Sequence, residues 1–348
     1  MKKKTAVFRY LYIGLTIVVI VLIGVLDPNF EGMWKVLETL DFAWLITAFL
    51  VLFAYWFTDA VLIKHIASYM YGKYSIWSSI KISLIGLYYG ALTPSSTGGQ
   101  PMQVVYMRRD NIGTGTATGI IGVKFVVYQL SLCAIYIAAM LFAGRDFYIE
   151  YKEVFFLTTV GFLVNLALVI IIGLSLFNRT FIDKCGAGII NLLVKLRILK
   201  TQEKADAARS SFAKTMNEFH ESMSYIMKHK FKVFISFIIS VINLLCLFAI
   251  PYCVYRAMGL NEKTLFELLA LQAFLYLAIS FIPTPGSAGA SEGGFYLFFG
   301  KVFPSEQIFA GLLLWRFLTY YVILFVGSGL VLVEELRQDR KQKKLKSK

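Results

Sequence analysis

The sequence contains few charged residues. Asp, Glu, Lys and Arg make up 16% of its 348 residues, whereas about a quarter is usual in soluble proteins. Hydrophobic residues make up 58% of the chain, and the mean hydropathy is +0.67. Apolar runs of about 20 residues recur, and each is long enough to cross a bilayer as a helix. The composition therefore predicts an all-α polytopic integral membrane protein, with residues 1–348 forming a single membrane domain.

The sequence also lacks the motifs of several enzyme classes. It contains no Walker A or HExxH motif, so neither ATP hydrolysis nor zinc-dependent hydrolase chemistry is predicted. Its four cysteines have no CxxC or metal-ligand spacing, which argues against a disulfide framework or a metal site. They are Cys133, Cys185, Cys246 and Cys253. We therefore expect a protein that is not an enzyme and holds no cofactor or metal.

Acidic residues are scarce relative to basic ones, which gives the chain a net charge of +14. A strongly basic chain can bind nucleic acid, but here the Lys and Arg residues lie between the apolar runs. That placement is typical of membrane topology, because basic residues accumulate in cytoplasmic loops and contact anionic headgroups there. The predicted partners are membrane phospholipids, with anionic headgroups at the cytoplasmic face, and nucleic acid is not expected.

The apolar runs are of two kinds. Six are uninterrupted and are predicted as full transmembrane spans, the first of them as an uncleaved N-terminal span. They cover residues 10–26, 42–63, 116–143, 154–177, 233–255 and 308–333. Two others, 82–107 and 264–300, are interrupted in the middle by Gly, Pro, Ser and Thr. Each of these either crosses the membrane once or enters and returns as a re-entrant hairpin.

The distribution of Lys and Arg distinguishes these arrangements. If both interrupted segments are re-entrant, 27 basic residues fall in cytoplasmic segments and 6 outside; if both cross, the split is 18 against 15. The sequence thus predicts six spans and two hairpins, in a multi-pass protein of the cell membrane with both termini in the cytoplasm. The first hairpin enters from the cytoplasm and the second from outside.

This topology divides the chain into four parts. The first half covers residues 1–177 and contains hairpin 82–107, and the second covers 233–333 and contains hairpin 264–300. Residues 178–232 form a basic cytoplasmic loop in which apolar residues at helical spacing predict an amphipathic helix. Residues 334–348 form a basic cytoplasmic tail.

The two interruptions share the pattern T-P-x-S-x-G. The first break is residues 93–98 and the second break is residues 284–289. The shared residues, with the two that follow the first break, are Thr93, Pro94, Ser96, Gly98, Gly99, Gln100, Thr284, Pro285, Ser287 and Gly289. Each break lies in a unit of span, hairpin and span, and the predicted orientations of the two units are opposite. Inverted repeats with broken helices place a substrate site where the breaks meet; the alternative is that small residues only allow close helix packing.

Ionisable residues within apolar segments are functional candidates because they are costly to place in a bilayer. Glu292 follows the second break and is the strongest of them, with a structural cap on the returning helix as the alternative. Arg108 and Arg109 lie at the cytoplasmic mouth of the first hairpin, where they either hold a lipid phosphate or only anchor the hairpin. Lys124 and Arg316 occupy matching positions early in the spans after the hairpins. They are expected to pair with Glu292 or Asp59, or to contact a headgroup. Asp59, near the cytoplasmic end of the second span, is the remaining candidate, with snorkelling or a bond to a neighbouring span as the alternative.

The motifs also resemble those of a known family. Leu92 to Pro101 followed by Arg108-Arg109, and Pro283 to Gly294, resemble the two signatures of the flippase-like membrane domain of lysylphosphatidylglycerol synthases, the multiple peptide resistance factors. The resemblance implies a domain that moves aminoacylated phosphatidylglycerol from the inner to the outer leaflet, a function linked to antimicrobial peptide resistance. The sequence ends at a basic tail, so we expect no aminoacyl-transferase domain and no synthase activity.

The functional hypothesis is therefore a lipid flippase that moves a phospholipid or glycolipid through a polar cavity between the breaks. A secondary transporter of a small soluble solute is an alternative with the same broken-helix geometry. A scaffold for a separate lipid-modifying enzyme is a third. Self-association into a homo-oligomer is compatible with each of them.

Overall fold

The computed structural model describes residues 38–177 and 229–346 except Phe281 and Pro285, together with Val36, Ser210, Ala213 and Asn217. The predicted first span, 10–26, and most of the cytoplasmic loop with its amphipathic helix lie outside the described residues. So does Pro285 of the second break. The account below concerns the described part of the chain.

The described residues form helices and no strands, as the composition predicts. The helices are α1 (Phe42–Met70), α2 (Ile76–Ala91), α3 (Gly99–Arg109), α4 (Thr114–Glu150), α5 (Lys152–Phe177), α6 (Lys230–Ala257), α7 (Leu265–Ile279), α8 (Ala290–Phe299), α9 (Ile308–Arg316) and α10 (Val322–Lys346). A π-helical turn, Phe317–Tyr321, joins α9 to α10 without a break in the chain direction.

Five of the described helical segments are long and apolar enough to span a membrane. They are Phe42–Met70, Thr114–Arg145, Val154–Ile171, Lys230–Ala257 and Ile308–Gln338. They correspond to five of the six predicted spans, and they confirm the prediction of a polytopic α-helical membrane protein. Several extend beyond the apolar run. The 29 residues of α1, for example, measure about 44 Å at about 1.5 Å per residue, which exceeds the hydrocarbon core of about 30 Å.

The first helices of the two predicted units, α1 and α6, pack against each other in antiparallel directions. The backbone N–H of Asp41 donates to the carbonyl of Ala257 (2.8 Å), and the side-chain amide of Asn243 donates to the carbonyl of Tyr55 (2.7 Å). The residue number in α6 falls as the residue number of its partner in α1 rises, so the two helices run in opposite directions. Each unit then continues with two short helices and a long one, which is the order expected of an inverted repeat.

The first interrupted segment folds back on itself as a hairpin of α2 and α3. The side-chain amide of Gln103 in α3 donates to the carbonyl of Ile82 in α2 (3.2 Å). Nearer the turn, Gly99 lies so close to Gly86 that an added Cβ would be 2.6 Å from its carbonyl oxygen. Glycine at both positions permits this close backbone approach. At 16 and 11 residues, neither helix reaches the roughly 20 residues needed to cross a bilayer alone.

The second interrupted segment forms a similar pair from α7 and α8, which have 15 and 10 residues. A Cβ added at Gly294 in α8 would be 2.5 Å from Leu275 and 3.3 Å from Ile279 in α7. The far end of this hairpin packs into an aromatic core, where Phe298 stacks on Phe147 of α4 with ring centroids 5.9 Å apart. Whether either hairpin enters and leaves the membrane on one side remains a prediction of the charge distribution.

Candidate functional site: two breaks and two buried ion pairs

The two breaks have the same backbone conformation at equivalent positions. Ser95 and Ser96 have φ angles of 48° and 56°, and the corresponding Gly286 and Ser287 have 58° and 53°. Left-handed conformations are uncommon outside glycine, and here two consecutive ones occur at the same place in both motifs. The structure thus supports the repeat that the short pattern T-P-x-S-x-G predicts.

Side chains of the first break satisfy the backbone groups that the break releases. The Thr93 hydroxyl accepts a hydrogen bond from the Gly98 N–H (2.8 Å) and donates to the carbonyl of Tyr89 (2.8 Å). Ser95, Ser96 and the following Thr97 are exposed. The hydroxyls of this break are therefore accessible to a polar group, and Gln100 just beyond the break is exposed as well.

The second break uses a carboxylate where the first uses a threonine. The N–H of Gly289, equivalent to that of Gly98, donates to Glu292 Oε2 (2.6 Å). Glu292 is fully buried. Thr284, equivalent to Thr93, consequently has a buried Oγ1 with no hydrogen-bond partner among the described residues. The same fold thus has a neutral cap in one half and a charged cap in the other.

Arg316 completes the second break. Its Nε donates to Glu292 Oε1 (2.7 Å), and its Nη2 lies 2.6 Å from the same oxygen. Both Nη atoms also lie 3.1 Å from the carbonyl oxygen of Gly286. The Glu292–Arg316 pair therefore binds one backbone donor and one backbone acceptor of the break. Irregular backbone at membrane depth needs such internal partners because lipid supplies none.

Tyr320, in the π-helical turn, joins the two breaks. A Cβ added at Gly286 would collide with the Tyr320 ring, so the second break packs directly on this side chain. On the other side, the Tyr320 hydroxyl donates to the carbonyl of Ala91, two residues before the first break (3.4 Å). Tyr320 therefore contacts the second break and the end of the helix that leads into the first break.

A second buried ion pair lies in the first unit. Lys124 of α4 donates to Asp59 Oδ2 in α1 (2.8 Å), and the Ser83 hydroxyl of α2 donates to the same oxygen (2.6 Å). Asp59 is 3% exposed. Lys124 and Arg316, predicted to pair with a carboxylate or to contact a headgroup, thus each pair with a carboxylate. The two pairs occupy different places, since one lies on the second break and the other lies between α1, α2 and α4.

Arg108 and Arg109 belong to neither of these buried ion pairs. Both are exposed at the end of α3, and the Arg109 guanidinium lies 4.0 Å from the centre of the Tyr106 ring. This is the location predicted for the mouth of the first hairpin. Among the described residues, no group of three or more His, Cys, Asp or Glu side chains is arranged to hold a metal ion.

Sequence reasoning missed three residues of these sites. Gly286 stands at a variable position of T-P-x-S-x-G. Its carbonyl nevertheless accepts hydrogen bonds from Arg316, and the residue packs on Tyr320. Tyr320 lies one turn after Arg316, and that i, i+4 spacing is the only sequence signal that points to it. Ser83 is a polar residue within the apolar helix α2. Such residues are common where helices pack, so this signal does not distinguish a site residue.

These features define a polytopic α-helical membrane protein in which two broken-helix hairpins meet inside the bundle. The chain belongs to the family described as the lysylphosphatidylglycerol synthase TM region, whose family model matches residues 11–327. A similar protein is a UPF0104 membrane protein of Archaeoglobus fulgidus. It is 22% identical over 307 residues, which cover 86% of this chain and 88% of that protein.

Proposed function

We propose that the protein moves a phospholipid or glycolipid between the membrane leaflets at the junction of its two breaks. Aminoacylated phosphatidylglycerol is one candidate substrate, as the family suggests. The observation that carries the proposal is the meeting of the breaks at Tyr320, from units whose first helices are antiparallel. In transporters with inverted repeats, such a junction is the substrate site.

The polar chemistry of the junction is divided between the two breaks. The second break is neutralised by its own ion pair, and the donors of Arg316 are directed at Glu292 and Gly286. The first break presents the exposed hydroxyls of Ser95, Ser96 and Thr97. A headgroup that reaches the junction would hydrogen-bond to this first break, while its acyl chains stay in the bilayer.

Alternating exposure of the junction would complete the transport cycle. The proposed orientation has both termini in the cytoplasm of a cell-membrane protein, with the first hairpin open to the cytoplasm and the second to the outside. Arg108 and Arg109, exposed at the end of α3, would contact anionic phosphates at the cytoplasmic mouth. Movement of one hairpin against the other would then transfer the headgroup past Tyr320, which contacts the second break and the end of α2.

The test is a leaflet-resolved assay of fluorescent phospholipids in proteoliposomes containing the wild-type protein, Gly286→Ala or Gly293→Ala. Gly286 has a φ of 58° and no room for a Cβ beside Tyr320, whereas Gly293 is an exposed glycine of α8 with open space around it. We expect the wild type and Gly293→Ala to move lipid at equal rates. We expect the rate of lipid movement by Gly286→Ala to fall about tenfold or more, which corresponds to an increase of about 1.4 kcal/mol in the transport barrier.

Protein content and melting temperature are measured on the same preparations, so that loss of transport is separated from loss of fold. A wild-type protein that leaves the leaflet distribution unchanged across zwitterionic, anionic and aminoacylated lipids would refute the proposal. A folded Gly286→Ala protein with the full wild-type rate would refute the location of the site.

A further inference from the structure

A second polar cluster lies away from the two breaks. Tyr55 and Asp59 lie one turn apart on one face of α1, and Lys124 and Tyr128 have the same i, i+4 spacing on α4. The 2.8 Å contact between Lys124 and Asp59 shows that these two faces are turned toward each other. Two tyrosines and one ion pair thus face each other across the α1–α4 boundary.

The second hairpin contributes a third tyrosine to this cluster. The Tyr276 hydroxyl in α7 lies 2.7 Å from the Tyr128 hydroxyl. Asn243 of α6 approaches from another side, where its amide donates to the Tyr55 carbonyl and its Oδ1 is buried without a partner among the described residues. We call Tyr55, Asp59, Lys124, Tyr128 and Tyr276 the tyrosine–lysine site.

The site has accessible surface although it lies inside the helix bundle. Tyr55, Tyr128 and Tyr276 are each only half-buried. The Lys124 side chain is likewise 14% exposed. A polar group of a ligand can therefore reach these side chains.

The site keeps hydrogen-bond donors that have no partner among the described residues. An ammonium group has three N–H donors, and one of those of Lys124 is used by Asp59. The Tyr128–Tyr276 contact uses one of two hydroxyl protons and leaves the other. Asp59 Oδ2 already accepts from both Lys124 and Ser83. A ligand that fits must therefore supply several acceptor oxygens, and a positive charge beside donors suits a phosphate group.

We propose that the tyrosine–lysine site binds the phosphate of a phospholipid headgroup. Lys124 and the tyrosine hydroxyls donate to the phosphate oxygens, and Asp59, held by Ser83, is a positioning residue that orients the Lys124 ammonium. This inference rests on the proposed function only for the lipid nature of the ligand. It assigns phosphate recognition to the first unit, because Nε and both Nη atoms of Arg316 contact Glu292 or Gly286, whereas Lys124 uses one of its three N–H donors for Asp59.

The experiment measures binding of short-chain phosphatidylglycerol to the detergent-solubilised full chain by native mass spectrometry. The variants are Asp59→Asn/Lys124→Met, which removes both charges together, and Tyr128→Phe/Tyr276→Phe, which removes two hydroxyls and keeps the rings. Tyr136→Phe is the control, because Tyr136 lies two turns further along α4 and packs on Phe162 instead.

We expect the dissociation constant for phosphatidylglycerol to rise about tenfold in the charge variant and about threefold in the double-Phe variant. The Tyr136→Phe control should bind as the wild type does. A short-chain diacylglycerol, which lacks phosphate, should bind the wild type and the charge variant equally. Inorganic phosphate should displace the lipid only at much higher concentration, and displacement at equal concentration would overturn the lipid assignment.

Two outcomes separate this inference from the proposed function. If a folded charge variant binds phosphatidylglycerol as tightly as the wild type, the phosphate site is wrong even when the wild type transports lipid. If binding weakens as expected but the wild type moves no lipid in proteoliposomes, the phosphate site is supported and the proposed transport function is wrong.

Discussion

The Glu292–Arg316 pair provides the most quantitative prediction of the structure. Arg316→Met removes the guanidinium and keeps an unbranched apolar side chain of similar length. It leaves the Glu292 carboxylate fully buried with only the Gly289 N–H as partner, and it leaves the Gly286 carbonyl without its two donors. The second break then has one unpaired charge and one unpaired acceptor.

The expected cost follows from these contacts. Removal of one partner of a buried ion pair destabilises a protein by about 3–5 kcal/mol, mostly because the other charge is left uncompensated. The double variant Glu292→Gln/Arg316→Met removes that charge, and its Gln oxygen can still accept from the Gly289 N–H. We therefore expect the double variant to recover on the order of 2 kcal/mol of the loss in a double-mutant cycle.

The assay is reversible unfolding in mixed detergent micelles, followed by fluorescence, for the wild type, both single variants and the double variant. Lys263→Met is a control just before the same hairpin, because the Lys263–Glu267 pair is partly exposed and is worth about 0.5 kcal/mol or less. Additive single-variant costs, with a coupling below about 0.5 kcal/mol, would show that the pair does not hold the break together.

Three further predictions concern packing and the first unit. Gly161→Ala should destabilise the fold by about 1–3 kcal/mol in the same unfolding assay, because a Cβ there would overlap a backbone carbonyl of α7. Gly99→Ala should lower stability by a similar amount, because its Cβ would be 2.6 Å from a carbonyl oxygen of α2. A wild-type melting curve for either variant would contradict the close helix approach. Ser83→Ala should cost about 1–2 kcal/mol through loss of the 2.6 Å hydrogen bond to Asp59, and Ser83→Thr should recover part of it; equal stability of all three proteins would contradict this role.

The helices were predictable because apolar length is a local property of the sequence. The apolar runs and their Gly- and Pro-rich interruptions correspond to the long helices and to the hairpins, and left-handed Ser95, Ser96 and Ser287 lie inside the predicted breaks. Charge counting gave the opposite orientation of the two units, which agrees with the antiparallel packing of α1 and α6.

The partners within the site could not be predicted in the same way. Lys124 and Asp59 are 65 positions apart, and Arg316 and Glu292 are 24 apart, so the pairing depends on how the helices pack. The contact of Gly286 with Tyr320 is likewise tertiary. The sequence did point to both cations, since a charge within an apolar run needs an internal partner, but it did not identify which carboxylate serves each one.

The claim on which both proposals depend is that two oppositely oriented hairpins bring their breaks to one site. Single cysteines at Ser96 and Ser287, in a protein whose native cysteines are replaced, test it with membrane-impermeant thiol reagents in oriented proteoliposomes. Ser96 is exposed and Ser287 is half-buried, so both positions should react. We expect Ser96→Cys to react from the cytoplasmic side and Ser287→Cys from the outer side. Fast reaction of both positions from the same side, with none from the other, would contradict the opposite entry of the two hairpins.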